Sequence, residues 1–232
     1  MEGVDDTLIQ KLKAQQLELA QKLNLKDRIP VEEIKTVAGV DVTFTNIWST
    51  KTTGIACITV LDITRNFETV ETVYAVKEVD FPYIPTFLAY RELPVIMEAY
   101  KKVSSRPDAF ILDGMGILHP RKMGIAAHFG VVTDTISVGC GKSRLTGEFE
   151  PPENKKFAFS PVYIDRELRG YAVRTKKNAN PVFISPGNNI SVESSLKLLF
   201  RTTAGYKLPE PTRRAHNLLQ KYRKQLIGSS HV

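Results

Sequence analysis

The chain has 232 residues, enough to bury one full core or at most two small ones. Its composition, 42% hydrophobic and 25% charged, is that of a folded globular protein, and no apolar run approaches the ~20 residues of a membrane span. A formal charge of +7 favours a polyanionic partner, nucleic acid ahead of anionic membrane, although charge alone fits a merely soluble basic protein at least as well. Met1 leads into a polar, charged start rather than a signal peptide. Cys57 and Cys140 are the only cysteines, each in an apolar, strand-like context. That usage suggests buried thiols in a reducing compartment and argues against a disulfide scaffold or zinc site. A cytoplasmic monomer is expected.

In chain order, DDTLIQKLKAQQLELAQKL predicts an amphipathic helix over 5–23, with Thr7 and Gln10 as a capping box. Three strand-like runs follow at 36–44, 53–63 and 71–79, with short polar connections that suit consecutive antiparallel pairing. Residues 81–103 read as a loop entering a helix, which Pro94 must kink or restart because proline lacks the amide proton. AFILD (109–113) is a short buried strand, 133–140 and 181–187 two more. A helix starts at 191–200 with Ser191 as N-cap, and a last one spans 210–226. The tail, 227–232, is expected to fray. Three consecutive strands followed by alternating helices and strands give a single-domain α/β fold, one mixed sheet with helices on both faces.

The chemistry lies in the carboxylates. Asp41 interrupts TVAGVDVTF, which otherwise reads as a central, doubly covered strand. A buried carboxylate there must be paired, protonated or bound to a cation, and a lone case is most simply a salt bridge. The pattern recurs, however. Asp113 ends AFILD, and Glu92 lies on a helix entered through a rigid PYIP turn. Three carboxylates converging at strand ends, without a cysteine or histidine cluster, suit Mg²⁺ or Mn²⁺ and suggest phosphoryl chemistry. After Asp113 comes DGMGILHPRKMGIAAHFG (113–130), glycine-rich backbone that a plain turn would also explain. The string GCGKS hints at a phosphate loop but does not satisfy the P-loop pattern, so nucleotide hydrolysis is not expected.

VAGVDVTF, PYIPTFLAYRE, DGMGILHPRKMGIAAHFG, GKSRL and LPEPTRRAH stand in the order found in the endonuclease V family, and the chain resembles that family from about residue 30 to about 225. The resemblance implies a ribonuclease H-like fold and a Mg²⁺-dependent deoxyinosine 3′-endonuclease, with Mn²⁺ able to substitute. Such an enzyme nicks DNA at the second phosphodiester 3′ to the lesion, leaving a 5′-phosphate and a 3′-hydroxyl. It implies metal binding by Asp41, Glu92 and Asp113. Lys142 would face the scissile phosphate, and His216 would reach the metal site as ligand or leaving-group assistant. The turn of Tyr83, Ile84 and Pro85 would contact substrate, Tyr83 wedging into the base stack. Gly114 and Gly116 would allow close approach to an extruded hypoxanthine, with His119 near the site and His128 structural. Two departures stand out: Thr86 where the family commonly has glycine, and Asn188 where histidine is frequent. Remaining alternatives are a nuclease of the same fold acting on inosine in RNA and a non-cutting lesion-binding protein. Three carboxylates beside a phosphate backbone argue against the latter.

Overall fold

A computed structural model describes residues 6–229, with side chains to residue 226. One mixed eight-stranded sheet runs in the order β3-β2-β1-β4-β5-β8-β7-β6. Its first half is β1 (Thr36–Phe44), β2 (Lys51–Asp62), β3 (Glu68–Asp80) and β4 (Ala109–Asp113). The second half is β5 (Ser137–Gly141), β6 (Ala158–Ile164), β7 (Glu167–Arg174) and β8 (Val182–Asn188). β1, β4 and β5 are parallel neighbours, and every other pairing is antiparallel. Among the described residues there are also five α-helices, α1 (Asp6–Ala20), α2 (Leu88–Tyr100), α3 (Ile125–Thr133), α4 (Val192–Thr202) and α5 (Glu210–Ser229), and a short 3-10 turn at Val31–Glu33.

Strand periodicity sorts the side chains between the two faces. Ala38, Val40, Phe110 and Leu112 join a core cluster with Val95, Ile96 and Phe129 of α2 and α3. Val37, Ala109 and Ile111 pack instead with Leu196, Leu198 and Leu199 of α4, while Ile55 and Cys57 meet Ala215 and Leu219 of α5. Ser191 caps α4 as its sequence predicts, its hydroxyl accepting from the Ser194 amide at 3.1 Å.

Four expectations need correction. The helix over Leu88–Tyr100 runs through Pro94 as one element, so of the two outcomes expected of that proline, a kink or a restart, the restart is excluded. Thr7 stands inside α1, one residue past Asp6, rather than at its cap, and residue 5 lies outside the described residues. The predicted strand at 133–140 begins only at Ser137, because Thr133 still ends α3 and Asp134 closes it in the left-handed conformation (φ 51°). The helix expected to stop at 226 continues to Ser229, while residues 230–232 of the predicted frayed tail lie outside the described residues. The β6–β7 hairpin has no counterpart in the sequence reading. Its alternation is broken by Phe159 and Tyr163, large hydrophobics left 49% and 41% exposed on the solvent side.

Gly39 sets the distance between β1 and α5. A Cβ there would lie 1.9 Å from the carbonyl oxygen of Pro211, at the start of α5. Only a bare backbone lets the helix lie this low, and residues 39 and 41 share a face of the strand, so α5 is pressed over Asp41. We expect Gly39→Ala to lower stability by ~1–3 kcal/mol, the usual range for overpacking, read as a fall in thermal midpoint. An unchanged midpoint would mean that α5 does not touch β1 here.

Candidate active site

The sheet brings two aspartates side by side. β1 and β4 are parallel with Val40 opposite Leu112, so Asp41 and Asp113 follow one step on, at the same end and on the α5 face. Asp113 is in register with Cys140 of β5, and Lys142 comes two residues later on the same side. Glu92 arrives from the opposite face, in the second turn of α2. Asp41, Glu92, Asp113 and Lys142 all line one cavity of about 340 Å³ at these strand ends, where open α/β sheets place their ligands.

The electrostatics are those of charges crowded against their preference. Burial, and next the charge of Asp113, raise the Asp41 carboxyl to about 6, against opposing pulls from His216 and Lys142. Glu92 is pushed well above its ordinary value by burial, then by Asp113 and Asp41, and accepts no hydrogen bond among the described residues. The Lys142 ammonium donates to Asp113. Burial works against that charge, but the Asp113 carboxylate outweighs it and raises the lysine overall. On the other side, His216 Nδ1 lies 2.8 Å from Asp41 Oδ2, while the Val42 amide donates to Asp41 Oδ1 at 3.0 Å. A proton on the ring nitrogen that faces the carboxylate makes Nδ1 the donor of this bond.

These donors fit a hard dication. They are oxygen ligands whose ionised forms are opposed by burial and mutual repulsion, and a divalent cation among them would reverse both costs. They are not yet a closed ligand shell. Among the described residues no three His, Cys, Asp or Glu side chains surround a common point, since Lys142 engages Asp113 and His216 engages Asp41.

The remaining predicted residues divide. Tyr83 is 56% exposed and lines the cavity mouth with Pro85, whereas Ile84 is half-buried, off the lining, its carbonyl accepting from the Phe87 amide at 3.0 Å. Gly114 lines the cavity with φ 140°, open to glycine alone. Gly116 does not line it: a Cβ there would sit 2.0 Å from the carbonyl oxygen of Pro186, so its bareness serves the approach of β8. His119 is buried at the cavity wall, and burial lowers it to about 4. Its Nδ1 accepts from the amides of Arg121 and Met123, so Nε2 donates to the Thr86 carbonyl at 2.9 Å. His128 is buried against Tyr90 at 5.4 Å, away from the cavity, and Asn188 ties Gly130 to Asn24 within the core.

Three residues that the sequence did not single out hold the loops. Thr86 is β-branched yet has φ 68°, a conformation that costs of order 1–3 kcal/mol. Gln16 Nε2 donates to its carbonyl at 3.0 Å, and Arg121 donates to its hydroxyl at 2.7 Å. Arg91, 1% exposed, donates to the carbonyls of Phe81 (2.9 Å), Ile47 (3.1 Å) and Ser49 (3.1 Å). An arginine buried beside the predicted ligand Glu92 was the available signal, since a buried guanidinium must find acceptors.

Known proteins match this arrangement over most of the chain. The sequence model of the Endonuclease V family covers residues 17–217. Endonuclease V of Dictyoglomus turgidum is 42% identical over 214 residues, 92% of this chain and 89% of that protein. The enzyme from Bacillus thuringiensis subsp. konkukian is 39% identical over 95% of this chain and 94% of its own length. The crystal structure of Bacillus subtilis Endonuclease V superposes with a TM-score of 0.89 at 32% identity, covering 98% of this chain and 96% of that one. The catalytic domain of human Endonuclease V gives 0.81 at 26% identity over 97% and 99%. By fold, by the matched residues and by identity across nearly its whole length, the chain belongs to the endonuclease V family.

Proposed function

We propose that the protein is a Mg²⁺-dependent endonuclease that recognises deoxyinosine in DNA and hydrolyses the second phosphodiester 3′ to it, leaving a 5′-phosphate and a 3′-hydroxyl. The observation that carries this reading is one cavity holding three mutually repelling carboxylates and a lysine, with an exposed tyrosine at its mouth. Asp41, Glu92 and Asp113 would hold the cation. When bound, it supplies charge neutralisation at phosphorus and activates water for in-line attack.

The chain's own residues do the rest. Lys142 stands beside Asp113 as a cation for the phosphate, offsetting charge that grows in the transition state. Asp41 orients the His216 ring, leaving Nε2 free to exchange a proton near the scissile bond. Tyr83, on its proline-braced turn, fills the stack that an extruded base vacates, while Gly114 leaves room for the base within.

Asp41→Asn or Asp113→Asn should abolish nicking of an inosine duplex yet retain binding, because the metal serves chemistry more than affinity. Near-wild-type nicking by either variant in Mg²⁺ would remove the metal assignment. Run beside an inosine RNA strand and an EDTA control, the same assay separates DNA cleavage from RNA cleavage and from binding alone.

Proton competition gives a second test. Asp41 is raised to about 6, so below that pH it is protonated, and a cation must displace the proton to bind. Mn²⁺ affinity, read calorimetrically, should therefore fall as pH drops through 6. A flat profile between pH 5 and 7 would contradict the placement of Asp41 among the ligands.

Tyr83→Ala should lose lesion binding and single-turnover cleavage together, by roughly 10- to 100-fold, since stacking is worth ~1–3 kcal/mol. Tyr83→Phe should retain most activity, and the alanine defect should shrink when inosine lies in single-stranded DNA. A folded alanine variant that cuts duplex normally would return Tyr83 to a packing role.

A further inference from the structure

The hairpin between β1 and β2 ends in an aromatic with nothing to pack against. Trp48 is 83% exposed and Ile47 beside it 50%. The tip is nevertheless built: the Trp48 amide donates to Asn46 Oδ1 at 3.0 Å, and the Asn46 amide to Thr52 Oγ1 at 3.1 Å. Arg91 fixes it from beneath through the carbonyls of Ile47 and Ser49, and the same guanidinium holds the carbonyl of Phe81, two residues before Tyr83. The tryptophan tip and the tyrosine turn are therefore clamped by one side chain. With the backbone of the tip held, a partner need order only the indole side chain.

The surroundings indicate which partner. Lys51 follows the tip, and Arg223 of α5 donates to the Thr45 carbonyl at its base (3.4 Å); neither is in an ion pair among the described residues. An exposed aromatic with Lys51 three residues on and the half-buried Arg223 at the hairpin base, on a chain of net charge +7, matches a phosphate backbone carrying bases better than an apolar protein surface. Trp48 lies seven residues past Asp41, a reach of at most ~25 Å, so at 3.4 Å per nucleotide it meets substrate within about seven nucleotides of the cut.

We propose that Trp48 is a second stacking contact, which takes an unstacked base of the substrate strand outside the lesion pocket while Lys51 and Arg223 hold the flanking phosphates. The contact deepens the nuclease reading and rests on it. It lengthens the footprint on the strand without taking part in the chemistry.

Trp48 is the sole tryptophan of the chain, so its emission reports the contact in the unmodified protein. An end-labelled inosine strand of about 24 nucleotides is titrated in EDTA, with tryptophan emission and label anisotropy followed together. Saturable quenching that tracks binding is expected. Trp48→Ala should bind the strand ~5- to 100-fold more weakly and Trp48→Phe nearly normally. With enzyme saturating, Trp48→Ala should cut at the wild-type single-turnover rate in Mg²⁺. Emission unchanged at saturated binding, or a Trp48→Ala variant binding as tightly as wild type, overturns the contact. Wild-type cleavage without quenching removes this contact alone, whereas quenching without cleavage supports it and removes the nuclease reading.

Discussion

Asp41 lies within β1 and Asp113 ends the adjacent parallel strand β4, each one residue past the Val40–Leu112 pair. Strand neighbours lie ~4.8 Å apart, a distance at which two ionised carboxylates repel strongly once water is partly excluded. A third carboxylate, Glu92, lines the same cavity. The surroundings answer that repulsion: Lys142 draws on Asp113, His216 on Asp41, and Asp41 and Glu92 hold their protons more tightly than free carboxylates. A fold under selection for stability alone would have no reason to assemble such a group. The cost is one that a divalent cation can offset.

The cavity also depends on two clamps built on arginines whose charges reach it, Arg91 at Glu92 and Arg121 at His119. Gln16 and Arg121 hold Thr86 in a backbone conformation that threonine resists, which fixes the entry to α2 and so the angle of the tyrosine turn. Arg91 then ties that turn's start to the neighbouring hairpin. Recognition and chemistry thus share a frame: α2 carries Glu92 inward and, one residue earlier, the arginine that sets the loops outward.

Much of this was legible in the residues. β1, β2 and β3 follow from alternation and β-branched content, and AFILD from its brevity and its terminal aspartate. The family motifs fall where the cavity is. Other features were not legible because their causes are tertiary. Pro94 is tolerated in α2 although local chemistry argues for a break. The β6–β7 hairpin hid because its exposed aromatics blur a period of two. Gly116 looked like room for a ligand, but β8 occupies that space. The positive φ of Thr86 cannot be read from any propensity, since only its three partners make it affordable.

The bond between Asp41 and His216 spans 175 positions of the chain. Synthesis proceeds at ~5–20 residues per second, so β1 to β3 can pair on the order of ten seconds before α5 exists. Through that interval the strip formed by Gly39, Ile55 and Cys57 has no cover, because only the last helix packs there. A nascent chain is therefore both unarmed and sticky. It cannot form the Asp41–His216 bond until almost fully made, and its central strands offer bare apolar surface to other chains until then. Kinetic partitioning of this protein should be decided by how promptly its C-terminal helix docks.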